Sequence, residues 1–223
     1  MRYIKQRFLS KCLNRRRNNP PETTLAAKRA WRRTNKKDIR KACYKQQKGL
    51  CAYTELSLDD TELGYHLEHI APRSSHPELT FVPHNIVLSI MDDIHSGSLQ
   101  HHEKFGGHHK SEDYANDWFI SPFDRDCATY FSYDLAGTVA ASLELDVSNQ
   151  MKATKTIEVL NLNAMFLVER RRESLAALKG QIESGALELV SSTMQPGNRN
   201  LTEFYSAKKQ LLESLGISLP LPL

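Results

Sequence analysis

The sequence holds no apolar run approaching the about 18 residues that a membrane-spanning helix needs. Cysteine is scarce: Cys12, Cys43, Cys51 and Cys127 are scattered, with no paired spacing. That excludes a disulfide framework and a four-thiolate metal site. The basic start MRYIKQRFLSKCLNRRRNN lacks the apolar stretch of a secretion signal. There is no internal repeat and no low-complexity tract. These absences lead to the expectation of a reduced, cytoplasmic protein with no membrane contact. Two further absences are positional. Acids are nearly missing from residues 1–50, where Glu22 and Asp38 stand against 17 Lys and Arg. Histidine is missing outside one stretch: all nine lie between His66 and His109.

What is present suits one large domain. The 223 residues are 40% hydrophobic and 25% charged, enough to bury a core without covalent staples. The net charge of +4 hides an asymmetry, since beyond residue 50 only 13 basic residues face 24 acids. A basic segment on an acidic body points to a polyanion partner. A solvated arm, or an arm docked on the acidic body, gives the same pattern.

Residues 1–22 read as a short extended start and a basic loop ending at Pro20-Pro21. Helical spacing follows in TLAAKRAWRR and in NKKDIRKACYKQQKG, which stops at Gly49. LCAYTEL reads as a turn and short strand, SLDDTELG as a loop, and YHLEHI as a second strand ended by Pro72. The apolar stretch Asn85 to Met91 suits a buried strand or a helix start. DDIHSGSLQHHEKFGGHHKSEDY reads as loop. WFISPF and ATYFSYDLAGTVAASLEL suggest short strands. Residues 150–185 carry the strongest helical pattern, and NLTEFYSAKKQLLESLG closes with another helix. VERRRESL, with Arg170, Arg171 and Arg172 near Glu169 and Glu173, reads as a solvated helix face. Trp31 reads as a packing anchor more than a base-stacking platform.

The crowded stretch YHLEHIAPRSSHP bears on chemistry. A metal nuclease needs a neutral imidazole to take a proton from water and a divalent cation beside the scissile phosphate. Mg²⁺ keeps several waters, so a carboxylate and one further protein ligand suffice. Glu68 and His69 supply a carboxylate and an imidazole on adjacent residues. Neighbours on a regular strand point to opposite faces, so the pair shares one site only where the strand ends or bends. Pro72 supplies that end.

GLCAYTEL, YHLEHIAPRS, HNIVLS and FGGHHKS, in that order, resemble the HNH (His-Me finger) endonucleases. More narrowly they resemble the PtuB-type HNH nucleases of Septu-type and retron-associated anti-phage defence. The family pattern runs CxYC, HxEHxxP, NLV, CGHxKG and then a helix TIEVLNLN. The likeness covers roughly residues 40–175. It implies an α+β fold, mostly helical, with a ββα-metal core flanked by N- and C-terminal helices. We expect a basic arm with helices over 1–48, the nuclease core over 49–124, and strands with a helical partner-docking region over 125–223, joined to the core as one unit.

The resemblance also implies roles. His69 is the general base, Glu68 and His108 hold the metal, and Asn85 orients the base imidazole. His66 shares a strand face with Glu68 and serves as its partner or as a substrate contact. Lys110 meets phosphate, and Arg73 is placed with it as a nucleic-acid contact. From charge alone, Arg15, Arg16 and Arg17 of the arm, with the pairs Arg32-Arg33 and Lys36-Lys37, suit a phosphate backbone or equally an acidic partner subunit. His109, His95 or Asp93 remain alternatives to His108. The cofactor implied is Mg²⁺ or Mn²⁺. The family's structural zinc is not expected, because only Cys51 remains of its four thiolates; Thr54, Ile90 and Gly106 stand at the others, with Ile90 and Met91 candidates to replace the zinc by packing. The partners implied are DNA or RNA, a PtuA-like ABC-type ATPase, and in retron versions a reverse transcriptase with its multicopy single-stranded DNA. A degenerate scaffold that only binds nucleic acid or a protein is the rival reading. His76, His84, His101 and His102 are assigned no role.

Overall fold

The stretch after Asn85 is a strand. The computed structural model describes residues 1–6, 10–60, 62–195 and 200–218. Residues 7–9 of the expected extended start and Thr61 of the expected loop lie outside the described residues. In chain order the elements are α1 (Lys11–Arg16), α2 (Thr24–Arg32), α3 (Lys36–Gln47), β1 (Tyr65–His69), β2 (Ile86–Ile90), α4 (Asp93–Gly97) and α5 (Gly107–Lys110). Then follow β3 (Phe131–Tyr133), β4 (Val139–Ala141), α6 (Val147–Val159), α7 (Met165–Glu183), α8 (Leu187–Met194) and α9 (Tyr205–Ser214). The protein is α+β with helices predominant.

β1 and β2 pair antiparallel, with His66 opposite Ser89, Glu68 opposite Val87 and His69 opposite Ile86. Every residue of β2 is buried, as a strand covered on both faces requires. Its outer edge is closed by a side chain: Gln47 of α3 donates from Nε2 to the Leu88 carbonyl at 2.9 Å and accepts the Leu88 N–H at 2.7 Å. The Leu88 N–H would otherwise be buried without a partner, while its carbonyl also accepts the Ala52 N–H at 3.1 Å. β3 and β4 form a second two-stranded antiparallel sheet.

The main apolar core runs from Met1 and Ile4 through Trp31, Ile39, β2 and Ile157 to Phe204 and Ala207. A smaller cluster joins Leu50, Leu178, Val190, Met194 and Leu212. Two short sheets leave most of the core to be walled by helices. The amphipathic faces of α2 and α3, with Ala27, Trp31, Ile39 and Cys43 inward, do part of that work.

Several expectations change. The basic loop before Pro20 contains α1, capped by Ser10 and held by Asp38, which accepts from Ser10 Oγ at 2.6 Å. Six residues are too few to show a period. LCAYTEL makes only an isolated bridge, Leu50 to Ser57, because Glu55 turns the chain with a φ of 60°. WFISPF is not a strand: Phe119 N–H bonds back to Ala115, and Ile120 N–H to Thr156 Oγ1. The segment DDIHS to SEDY, expected as loop, contains α4 and α5. Helix α8 falls where no helix is expected. The helical segment 150–185 breaks after Val159, where Asn161 takes a φ of 45°.

The solvated arginine face is also corrected. Arg171 is only 2% exposed and donates to the carbonyls of Gly137 and Leu162. Arg170 pairs with Asp60 at 2.8 Å and Glu203 at 3.0 Å. The helical period alone does not reveal that the β3–β4 turn and the Glu203 segment pack onto that side of α7.

Candidate functional site

β1 carries the site because of where it ends. His66 and Glu68 project from one face, and His69 is its last residue. All three line a cleft of about 430 Å³ with Trp31, Lys36, Arg40, Arg73, Asp93, Gly107 and His108. The termination of the strand lets adjacent Glu68 and His69 border one cavity, as the sequence requires.

His69 is buried and tightly held. Its Nε2 lies 3.1 Å from the Thr80 carbonyl oxygen. A carbonyl only accepts, so the proton sits on Nε2 and Nδ1 keeps its lone pair. Trp31 packs edge-on against the ring, with centroids 4.4 Å apart. Burial, then the Arg73 charge, push the imidazole pKa down to about 4, so the ring is neutral at pH 7.

Asn85 does not touch this imidazole through any hydrogen bond. Its Oδ1 accepts the Ala71 N–H at 2.7 Å, and its Nδ2 donates to the carbonyls of Ala71 at 3.0 Å and Leu79 at 3.2 Å. It cinches the loop between the strands. The cinched loop presents the Thr80 carbonyl to His69. Asn85 thus bears on the orientation of His69 through the loop backbone rather than by contact with the ring.

Glu68 is held ionised. Burial opposes its charge, but His66 and Lys110 outweigh that and lower its pKa. Lys110 Nζ stands 2.9 Å from Oε1, and His66 Nε2 is 3.6 Å from Oε2. The expectation that Lys110 meets phosphate is corrected here. Its ammonium is fully buried between Glu68 and the carbonyls of His69 and Ser111. Uncompensated burial of Glu68 beside it would be costly, so the lysine is held inward.

His66 donates from Nδ1 to the Met91 carbonyl at 2.7 Å. Its other nitrogen then faces Glu68. Two lone pairs in opposition are unfavourable, so a proton or another cation belongs between them. Burial works against the imidazolium, yet Glu68, Met91 and Asp93 together raise the His66 pKa.

The choice between adjacent histidines is geometric. α5 turns His108 onto His66, with ring centroids 4.1 Å apart. It turns His109 the other way, where Nδ1 donates to the Val159 carbonyl at 2.8 Å and the ring faces His101. His108 Nε2 is buried with no hydrogen-bond partner, and Asp93 Oδ1 is 3.6 Å away. Burial, then the charge on His66, lower the His108 pKa to about 4, leaving a neutral donor atom. His76 lies against Tyr114 and His84 against Phe123, and neither they nor His95 line this cleft.

Among the described residues no group of three or more His, Cys, Asp and Glu side chains is spaced to hold a metal ion as it stands. The cleft's lining does offer a smaller donor set of the kind that a hard divalent cation takes. It comprises Glu68 Oε2 and the orphaned His108 Nε2, with Oε1 already engaged by Lys110. One carboxylate oxygen and one imidazole leave the remaining positions to water, as Mg²⁺ and Mn²⁺ accept. Of the positions that the motif resemblance aligns with thiolates, Cys51 and Ile90 meet through an Ile90 N–H to Sγ bond of 3.3 Å. A Cβ on Gly106 would stand 3.9 Å from Thr54 Cγ2. Ile90 and Met91 are fully buried alongside.

The remaining cations distribute unevenly. Arg73 lies over the Trp31 ring at 5.4 Å and Lys36 at 5.5 Å, both at the cleft. Arg16 instead packs over Phe81 at 5.2 Å, with Arg15 exposed on α1 and Arg17 exposed at its C-cap. Sequence reasoning missed the Thr80 carbonyl, the Trp31 contact and Arg40. Only Arg40 had a sequence signal: it sits one turn after Lys36. A scan against models of protein families finds no match to the chain, and a search of curated proteins finds none either.

Proposed function

We propose that the protein is a divalent-metal-dependent nuclease of the HNH type, hydrolysing phosphodiester bonds in the cleft between β1, α3 and α5. The observation that carries this reading is the state of His69. It is neutral, fixed in one tautomer by the Thr80 carbonyl, and adjacent to an ionised carboxylate in a cleft bordered by Lys36, Arg40 and Arg73.

In this reading His69 accepts a proton from the attacking water at Nδ1. A phosphodiester in the cleft brings negative charge beside the ring and raises its proton affinity. Trp31 and the 71–80 loop keep the imidazole from rotating. Arg73 faces the phosphate as a fixed cation. Glu68 and His108 would hold the cation, with His66 supporting the carboxylate; when bound, that cation stabilises charge on the phosphoryl and leaving oxygens. A binding module has no use for a tautomer-locked imidazole beside a carboxylate, which favours the enzyme over the rival scaffold. The motif resemblance extends the proposal to an effector of anti-phage defence acting with a PtuA-like ATPase, and in retron versions with a reverse transcriptase and its multicopy DNA.

The test is cleavage of labelled DNA and RNA with Mg²⁺ or Mn²⁺, alone and with the co-encoded partners. His69→Ala is expected to lower the rate by about 10²- to 10⁴-fold while circular dichroism shows the fold retained at the assay temperature. Equal cleavage by the variant refutes the assignment.

A further inference from the structure

Five cations on α3 fall in one stripe. Lys36, Lys37, Arg40, Lys41 and Lys45 recur at intervals of three and four residues. The opposite stripe, Ile39, Cys43, Gln46 and Gln47, is buried. Lys36 with Arg40, Lys37 with Lys41, and Lys41 with Lys45 are like-charged neighbours one turn apart, which repel. The one acid of α3, Asp38, is occupied by Ser10 Oγ and the Cys12 N–H. Among the described residues none of the five cations makes an ion pair. Burial, followed by the charges of Arg40 and Arg73, lowers the Lys36 pKa. The helix carries a row of positive charge that nothing in the described fold neutralises.

Beside that row is a shallow groove lined by Lys37, Arg40, Lys41, Tyr44, Lys45 and Tyr65. Arg40 borders both this groove and the cleft that holds His69. Both tyrosines are half-buried, so part of each ring faces out. One carboxylate reaches the far edge: Asp59 accepts from the Tyr44 hydroxyl at 2.8 Å and from Asn200 at 2.9 Å. The lysines from Lys37 to Lys45 span about 12 Å at ~1.5 Å per residue.

We propose that this face of α3 is a track for single-stranded nucleic acid leading into the cleft, a proposal that rests on the nuclease reading above. Lysines one turn apart match successive phosphates as point charges. Ring faces between them suit unpaired bases, which stack on aromatic side chains with little sequence preference. A duplex keeps its bases stacked within the helix and offers the rings nothing. Arg40 passes the strand from the groove to the reacting phosphate beside Arg73.

The experiment uses the full chain carrying His69→Ala, so that substrate stays intact. It is titrated across a salt series with labelled single-stranded DNA or RNA of about 12 nucleotides and with the matching DNA duplex. The combined variant Lys37→Gln, Lys41→Gln, Lys45→Gln is expected to bind both single strands at least about tenfold more weakly, with a salt slope shallower by about 2. Tyr65→Val, which keeps a strand-forming residue in β1, is expected to weaken single strands and spare the duplex. Unchanged affinity and slope in the lysine variant overturn the track. Equal loss on duplex and single strand in the tyrosine variant overturns the single-strand assignment. Failure of the nuclease reading looks different: no His69-dependent cleavage, with the salt-dependent binding intact.

Discussion

At the scale of single residues, the site depends on atoms that carry no charge. In the proposed mechanism Glu68, His69 and His108 supply the chemistry, but a backbone carbonyl at Thr80 sets the imidazole tautomer. Gly107 supplies the room. A Cβ there would stand 2.9 Å from both Glu68 Cδ and His66 Nε2, closer than such atoms pack. Gly107→Ala is therefore expected to push Glu68 and His66 apart. Calorimetric titration with Mn²⁺ should show at least about tenfold weaker binding, or about 1.4 kcal/mol, with a smaller change in melting temperature. Wild-type Mn²⁺ affinity in that variant would show that α5 retreats without cost.

At the scale of elements, α5 is too short to hold itself. Four residues make about one turn, and isolated turns are unstable. Its position is imposed by the break between α6 and α7. The Leu160 carbonyl accepts the Gly106 N–H at 2.8 Å, Val159 takes His109, and Asn161 Nδ2 donates to the carbonyls of His102 at 3.0 Å and Lys104 at 2.8 Å. Asn also tolerates the left-handed φ that the break needs. Asn161→Ala is expected to cost about 1–3 kcal/mol in urea unfolding and to depress cleavage further than stability explains, because His108 loses its anchor. Cleavage at the wild-type rate would detach this break from the site.

The same element shows what was readable in advance. TIEVLNLN stands out as a motif, but nothing in its letters says that Asn161 faces a loop 57 to 59 residues earlier while Asn163 clasps the backbone of Val139. Glu68, His69 and Asn85 were legible because a hairpin joins them within a short span and β2 has an unmistakable apolar run. The inward turn of Lys110 was not, because lysine is ordinarily exposed and its partner becomes buried only once α5 docks. His108 and His109 are equivalent as letters; a helical turn of about 100° per residue separates them. The loss of thiolates was legible, and the packing around the positions that lack them was not.

At the scale of the whole molecule, one buried carboxylate draws distant segments together. Glu55 is 2% exposed. It accepts from the Ser206 N–H at 2.7 Å and Ser206 Oγ at 2.6 Å, and it lies 3.5 Å from the Met1 amino group. Burial opposes its charge, but the Met1 ammonium, Ser206 and Arg2 outweigh that and lower its pKa. A carboxylate with a depressed folded-state pKa stabilises the fold above its unfolded value of about 4.3, and that contribution is lost as pH falls through the folded value. Stability measured in urea should fall with acidity below about pH 4. Glu55→Gln should be less stable at pH 7 and show a shallower acid decline; an equal decline would assign the effect to other carboxylates, such as Asp60.

That arrangement also orders events during synthesis. Met1 and Ile4 are buried, with the Ile4 N–H on the Pro122 carbonyl and the Met1 amine on the Tyr133 hydroxyl. Ser206, which completes the coordination of Glu55, leaves the ribosome 151 residues after it. Chains ordinarily fold from the earlier-made segments onward, but here the segments of Met1 and Glu55 wait for Ser206. The 102–106 loop that leads into α5 likewise waits for Leu160 and Asn161. A nascent chain therefore carries its histidines in an unassembled state until the turn after α6 has emerged, with Val159 coming 50 residues after His109, and the cleft closes only then.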